Sequence, residues 1–316
     1  VSVWSVGGER PLHQWQTEPA QPLRLSWDHS GQWLAAFPAI VPTTSSKPDQ
    51  RRCFVWDTET GRLVLNELAS DVAWHDQRPT LAAADPQSGV WTWNAESGDA
   101  NVTRIESVSQ RVTALTWLPN TQQLALAMTD KVEIIRADTG ETHSTLSGFT
   151  GELGCLSVSP DGRRLAGATR FVGLRPGSGY MLPQETVVAW TLANSEVTDT
   201  WKIAATASRL RWHPASELFV VSPGATNSAR VTVHQIGNAE PLLTTDGFDA
   251  SWHRTSPLLA IAERTGISIW HSGTRPIPKQ RTLRGHLGQV YAVDWNPHDE
   301  SLLSGSGDLT IRRWQA

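Results

Sequence analysis

Sixteen tryptophans among 316 residues, an internal period of about 44 residues, and short alternating β-branched runs set off by turn residues predict an all-β fold, a seven-bladed β-propeller of four-stranded antiparallel blades. Composition permits it: 39% hydrophobic and 18% charged residues are ordinary globular content with ample material for a core. Length alone would divide the chain into about two domains, but propellers run well past roughly 200 residues as one unit, and the repeats assign residues 1–316 to a single domain.

The tryptophan period comes first in the argument. Six tryptophans end a short alternating run: Val-Ser-Val-Trp4, Cys-Phe-Val-Trp56, Val-Trp-Thr-Trp93, Val-Val-Ala-Trp190, Ile-Ser-Ile-Trp270 and Ile-Arg-Arg-Trp314. These are strand ends. Arg136 and Gln235 stand at degenerate equivalents, and Trp4 to Trp314 then divides into seven steps. A second series lies inside the first, at Trp27, Trp74, Trp117, Val158, Trp212, Trp252 and Trp295, each ending a strand and followed by a turn such as Asp-His-Ser-Gly or Ser-Pro-Asp-Gly.

These motifs resemble the WD40-repeat family over nearly the whole chain. Trp56-Asp-Thr-Glu-Thr-Gly61 is a full strand-end signature and Trp93-Asn-Ala-Glu-Ser-Gly98 is close to it. The last repeat carries Gly285-His286, Ser304, Asp308 and Trp314, which match the family's hydrogen-bond set for tying the strands of a blade. By resemblance these four are structural residues. Elsewhere Gln50, Gln87, Gln184 and Arg264 occupy the place where the family has Asp, so those blades must hold by packing. The C-terminal segment supplies three strands, about 289–296, 301–305 and 309–315, and the resemblance implies that the N-terminal outer strand Pro11–Gln16 closes the last blade. Val1–Trp4 is then a surplus strand without a place. The chain begins without Met or a basic leader, which reads as a trimmed product of a longer chain.

Two connections between second and third strands are long, 38–52 and 169–186. Loops of this length in a compact repeat mark function or tolerated insertion. The first ends in Arg51 and Arg52. The second carries Arg170, Phe171, Arg175, Tyr180 and Met181, residue types enriched at interface hot spots. Aligned entries to the innermost strands, Gln21, Leu68, Arg111, Glu152, Thr206, Asp246 and Gln289, form a rim of mixed polarity, of which Arg111 and Glu152 join the expected partner-binding set.

Other chemistry finds little support. Twenty-seven Lys and Arg against 31 Asp and Glu give a net charge of -4, which offers no bulk attraction for nucleic acid. No apolar run approaches the roughly 18 residues of a membrane span. Cys53 and Cys155 sit in apolar strands, as inert thiols would. The sequence has no nucleophile elbow, zinc-protease helix, CxxC or phosphate loop, so no enzyme and no cofactor are expected. Five of the ten histidines follow first strands, at His29, His75, His213, His253 and His298. In such turns the ring stacks on neighbouring residues. His213 and His253, on adjacent blades, are the weak metal candidates. The expectation is a monomeric, non-catalytic scaffold in the cytoplasm that binds a protein or peptide on the insertion-bearing face. The rival reading is a small-ligand or metal-binding propeller that uses the channel or the histidine turns.

Overall fold

The computed structural model describes residues 1–5, 10–17, 23–38, 51–87, 89–98, 100–169, 185–203, 207–215, 217–223, 230–297 and 299–315. They fall into two compact units, Val1–Thr145 and Leu146–Ala316. In the first unit, β1 (Ser2–Trp4) and β2 (Pro11–Gln14) form a two-stranded sheet. Three four-stranded sheets follow. They comprise β3 (Leu23–Trp27), β4 (Trp33–Pro38), β5 (Arg52–Asp57) and β6 (Leu63–Leu68); then β7 (Asp71–Trp74), β8 (Thr80–Ala84), β9 (Val90–Asn94) and β10 (Thr103–Arg104); then β11 (Ala114–Trp117), β12 (Gln123–Ala127), β13 (Val132–Arg136) and β14 (Thr142–Leu146).

The second unit repeats the plan. Its sheets comprise β15 (Leu153–Val158), β16 (Arg164–Thr169), β17 (Thr186–Thr191) and β18 (Glu196–Lys202); β19 (Arg209–Trp212), β20 (Leu218–Ser222), β21 (Arg230–Gln235) and β22 (Leu243–Asp246); β23 (Asp249–Trp252), β24 (Leu258–Glu263), β25 (Gly266–His271) and β26 (Lys279–Leu283); and a last sheet of β27 (Val290–Trp295), β28 (Ser301–Ser306) and β29 (Ile311–Gln315). Strands neighbour one another in sequence order within every sheet. The chain is all-β, a propeller-type succession of antiparallel sheets.

Val1–Trp4 does have a partner. β1 pairs with β2, Val3 opposite His13, so the segment expected to complete the last sheet is hydrogen-bonded to its own sequence neighbour. A short connection makes this pairing local and cheap in closure entropy. Trp15, just beyond β2, stacks on Trp56 at 4.8 Å and donates its indole N–H to the Gly61 carbonyl at 2.8 Å.

Turn chemistry explains where strands stop. Asp57 accepts from the Glu59 amide at 3.0 Å and the Thr60 hydroxyl at 2.8 Å, and Gly61 then takes φ 75°, a left-handed conformation that costs glycine little. Asn94 does the same at the next repeat, where it accepts from the Glu96 amide and Gly98 also has φ 75°.

Burial runs from the inside of each sheet outward. The second strands β4, β8, β12, β16, β20 and β24 are buried almost throughout, whereas the fourth strands β14, β18, β22 and β26 are largely exposed. Four of the second strands are rich in Leu and Ala, as in Leu34-Ala-Ala, Leu81-Ala-Ala-Ala, Leu124-Ala-Leu-Ala and Leu259-Ala-Ile-Ala. Small side chains on both faces let neighbouring sheets pack closely on either side. The gaps fill with larger groups: Phe37, Val55, Leu65, Leu81, Trp91 and Trp93 between the first two four-stranded sheets, and Ala168, Val187, Trp201, Leu210 and Phe219 between the first two of the second unit.

One hydrogen bond recurs between sheets. Five first-strand tryptophans, Trp74, Trp117, Trp212, Trp252 and Trp295, each donate the indole N–H to a carbonyl in the preceding sheet, from the residue just before that sheet's equivalent position. In the first unit Trp74 donates to Ser26 and Trp117 to Ala73, both at 3.0 Å. In the second unit Trp212 donates to Ser157 and Trp252 to Arg211, both at 3.0 Å, and Trp295 to Ser251 at 3.1 Å. Trp117→Phe keeps most of the ring and removes the donor. It is expected to cost about 1–3 kcal/mol, from lost packing plus the abandoned carbonyl, seen as a lower urea midpoint with unchanged slope.

A buried imidazole sets an acid limit. His234 is fully buried, stacked on Phe219 at 5.3 Å and beside Trp201 at 5.2 Å. Its Nε2 meets the Thr232 hydroxyl at 2.8 Å, and its Nδ1 has no partner. Burial pushes its pKa down from 6.5 to about 4. Between those values the unfolded chain binds a proton that the folded chain refuses, so stability is full above pH 6.5 and falls as pH drops towards 4. The loss attributable to this group is on the order of 3 kcal/mol. His234→Phe should flatten stability over that window, as read from thermal midpoints at successive pH values.

Candidate functional site

Within each sheet the connection between second and third strands leaves from the same edge as the entry to the first strand. On that edge the long connections begin and end in fixed backbone. β4 ends at Pro38 and β5 begins at Arg52; β16 ends at Thr169 and β17 begins at Thr186. The second stem is stapled: the Thr186 amide donates to Thr169 Oγ1 at 2.7 Å, and that hydroxyl donates to the Thr186 carbonyl at 3.2 Å. Arg170, Phe171, Arg175, Tyr180 and Met181 lie outside the described residues, as do residues 39–50.

Arg51 is buried, and its carbonyl accepts from the Ala69 amide at 3.0 Å. Arg52 clamps Asn66 across the strand pair, Nε to the side-chain oxygen at 2.5 Å and Nη2 to the carbonyl at 2.6 Å, so its donors are engaged within its own sheet. Arg111 is exposed on the connection that leads into β11, in the first unit. Glu152 is half-buried at the entry to β15, in the second. Of the other rim positions, Gln21 and Thr206 lie outside the described residues.

The last sheet does bring His286, Ser304, Asp308 and Trp314 together. His286 Nδ1 meets Asp308 Oδ2 at 2.9 Å and its Nε2 meets Ser304 Oγ at 2.7 Å, while Trp314 donates its indole N–H to the same hydroxyl at 2.8 Å. Asp308 also accepts from the Leu287 amide at 2.8 Å and the Thr310 hydroxyl at 2.7 Å. Burial pulls the Asp308 carboxyl upward, but hydrogen bonds from Thr310, the Leu287 amide and His286 outweigh it and hold the group well below the usual carboxylate range. Every polar atom faces a matched partner inside one sheet, the arrangement of a structural lock. Ser304→Ala leaves two buried ring nitrogens without partners, at an expected cost on the order of 2 kcal/mol. Asp308→Asn should lower the thermal midpoint at neutral pH, and the gap to the parent should narrow below about pH 4, because a depressed carboxyl stabilises only while ionised.

The histidine turns form on the opposite edge. His75, His213 and His253 each accept a turn amide at Nδ1, from Gln77 at 3.1 Å, Ala215 at 3.1 Å and Ser256 at 2.9 Å. Each ring then lies edge-on to the next sheet's tryptophan, Trp117, Trp252 and Trp295, at 4.9, 4.9 and 4.7 Å. His213 and His253 thus face two different indoles, and one nitrogen of each ring is engaged by its own turn. Among the described residues no three His, Cys, Asp or Glu side chains stand as an ion-binding group. On the same edge of the first unit a polar cleft of about 470 Å³ opens beside His29, Trp33, Arg78, Asn94 and Glu96. Cys53 is fully buried, and burial pushes its thiol well above the ordinary range, which leaves it protonated and inert.

One arrangement escaped the sequence reading. Three residues before the first-strand tryptophans, Arg24 pairs with Asp71 at 3.5 Å, and Asp71 accepts from the Leu115 amide of the following sheet at 3.0 Å. The second unit repeats it: Arg209 and Arg211 pair with Asp249 at 3.2 and 3.5 Å, and Asp249 accepts from the Val293 amide at 3.4 Å. Alignment on the tryptophans would have exposed these positions. Buried carboxylates on the innermost strands are therefore already matched across sheets.

Four-stranded antiparallel sheets, recurring about every 44 residues and joined through first-strand indoles, define a β-propeller-type repeat protein. Residues 278–315 match the family described as WD domain, G-beta repeat, so the last sheet and the strand that leads into it carry a WD40 repeat. It is similar to the meiotic fizzy-related protein 1 of Schizosaccharomyces pombe, 22% identical over 281 residues, 83% of this chain and 62% of that protein. It also resembles protein SEH1 of Arabidopsis thaliana, 31% identical over 70 residues, 20% of this chain and 22% of SEH1. The WD-40 repeat-containing protein MSI4 of the same plant is 33% identical over 54 residues, 17% of this chain and 11% of MSI4. The chain thus spans less than two thirds of each relative's length. WD40-repeat proteins generally act as protein-interaction scaffolds. No helix among the described residues is long and apolar enough to cross a membrane.

Proposed function

We propose that this chain is a non-catalytic scaffold that holds a protein or peptide on the edge from which residues 38–52 and 169–186 depart. The observation that carries the reading is the stapled stem at Thr169 and Thr186, a long insertion rooted in a strand pair that is otherwise packed and regular. A loop of variable sequence on a rigid base is how scaffolds gain specificity without disturbing their core, because the base loses little freedom on binding. The histidine turns and the buried inner-strand carboxylates are engaged internally, which leaves the loops as the part of the repeat with chemistry to offer.

The test is affinity capture with quantitative mass spectrometry from the source cell, comparing the intact chain with one in which 170–185 is replaced by a short turn. Because the Thr169–Thr186 staple closes the ladder below the loop, the altered chain should keep its circular dichroism and melting temperature. A protein retained by the intact chain and lost from the altered one supports the reading. Equal retention of every partner by both chains, with a parallel shortening of 39–50 also silent, would sink it.

A further inference from the structure

We propose that the loop edge of the last two sheets carries a docking point for an acidic peptide segment bearing leucine or phenylalanine, with Leu287 and Leu309 as apolar anchors and Arg264, Arg284 and Arg312 as a basic rim. The proposal rests on the scaffold reading and names the chemistry of the partner.

Leu287 and Leu309 are 93% and 95% exposed, more than any other large hydrophobic side chain among the described residues. A single exposed leucine carries no message. These two belong to turns that are locked side by side. Asp308 accepts from the Leu287 amide at 2.8 Å, the Gly307 amide donates to the Gln289 carbonyl at 2.8 Å, and a Cβ on Gly288 would lie 2.7 Å from the Asp308 amide nitrogen. Only glycine permits that approach. The apolar surface continues to Tyr291, 41% exposed, whose ring lies beside Gly307 and whose hydroxyl donates to the Gln289 side chain at 2.9 Å.

Backbone conformation makes the same point independently. Leu309 has φ 65°, in the left-handed region, where the other non-glycine residues with positive φ among those described are the polar turn formers Asn120 and Ser195. Leucine is poorly suited to that region, and this one buries almost nothing in return. Strain that contributes no packing, held in place by a hydrogen-bonded frame, is characteristic of surfaces that present a side chain to a partner. The frame is the His286, Asp308 and Thr310 network, which fixes both turns before any partner arrives.

Charge identifies the partner. Arg264, Arg284 and Arg312 make no ion pair with any described residue. They belong to neighbouring segments: a Cβ on Gly266 would lie 2.6 Å from the Leu283 carbonyl, which sets the Arg264 turn beside Arg284, and a Cβ on Gly285 would lie 3.0 Å from Arg312 Nη1. Nearby carboxylates are engaged, Asp308 with His286 and Glu263 with Lys279 at 3.1 Å. An apolar pair inside an unpaired basic rim selects an acidic segment with apolar side chains, since like charge is repelled and rim pairs steer approach.

The experiment pans a phage-displayed library of random peptides on the intact chain, then measures synthetic copies of the enriched sequences by fluorescence anisotropy. Enriched peptides should be rich in Asp and Glu around Leu or Phe. Their affinity should fall about tenfold or more with Leu287→Ser or with Leu309→Gly, and also with Arg284→Glu or raised salt. Leu309→Gly guards against a trivial loss, because glycine suits the left-handed backbone and the variant should melt at or above the parent temperature. Enriched peptides that bind both leucine variants as tightly as the parent would overturn the docking point and leave the scaffold reading intact. Enrichment of peptides without acidic residues would overturn the basic rim. A library that yields nothing retained by the intact chain overturns the proposal as well, while loss of a cellular partner on replacing 170–185 would still support the scaffold.

Discussion

An indole N–H in the gap between two packed sheets has one donor and almost no water, so it must find an acceptor in protein, and the acceptor it finds fixes how far one sheet slides against the next. For Trp74, Trp117, Trp212, Trp252 and Trp295 the acceptor is the carbonyl one residue before the equivalent position of the preceding sheet. A single stagger is thereby repeated at each step that has a tryptophan donor. The remaining contacts between sheets assume it. The ion pair of Arg24 with Asp71 and that of Arg209 with Asp249 connect equivalent positions on neighbouring inner strands, and each would miss if the stagger changed by a residue. The turn histidines close the other end by setting an imidazole edge against the next indole. Val158, an aliphatic residue with no donor, stands at the first-strand position of the sheet that opens the second unit.

Close stacking makes a further demand on the second strands, which carry packed side chains on both faces. Alanine is frequent there, and alanines such as Ala35, Ala82, Ala125, Ala166 and Ala260 have no exposed surface. Interiors of this density tolerate little change in volume. The long insertions occur between second and third strands, where the ladder below them is complete.

Much of this was legible from residue spacing. Tryptophan at strand ends, Asp or Asn followed by Gly at turns, and alternating β-branched runs each carry a local physical cause, and they locate the first and third strands of most sheets. The three strands of the last sheet fall at 290–295, 301–306 and 311–315, where their alternation placed them. Features that depend on two segments meeting were harder to read. β1 has three residues, too few for a pattern to specify its partner, and its pairing with β2 is decided by proximity along the chain. Gly285-His286 was legible as part of the hydrogen-bond set, but nothing in the sequence says that the following Leu287 is left in solvent. Leu309 is harder still, because its left-handed φ follows from the Gly307 and Asp308 hydrogen bonds around it and not from leucine itself.

The last sheet shows why one complete hydrogen-bond network can persist where the others have eroded. Four-stranded sheets bury their third strand under a fourth, and in those the family's aspartate is replaced, by Gln87 and Arg264 among the described residues, without losing the strand. The last sheet has three strands among the described residues, and the pattern of β29 is half exposed. Apolar packing cannot hold such a strand alone. His286, Ser304, Asp308 and Trp314 supply bonds that do not depend on a fourth strand: Trp314 ties β29 to β28 through Ser304, and Asp308 ties the turn between them to the chain entering β27. The network that secures the strand also fixes the two turns that present Leu287 and Leu309. Stability and presentation are thus the same set of bonds, and selection on either one would preserve the other.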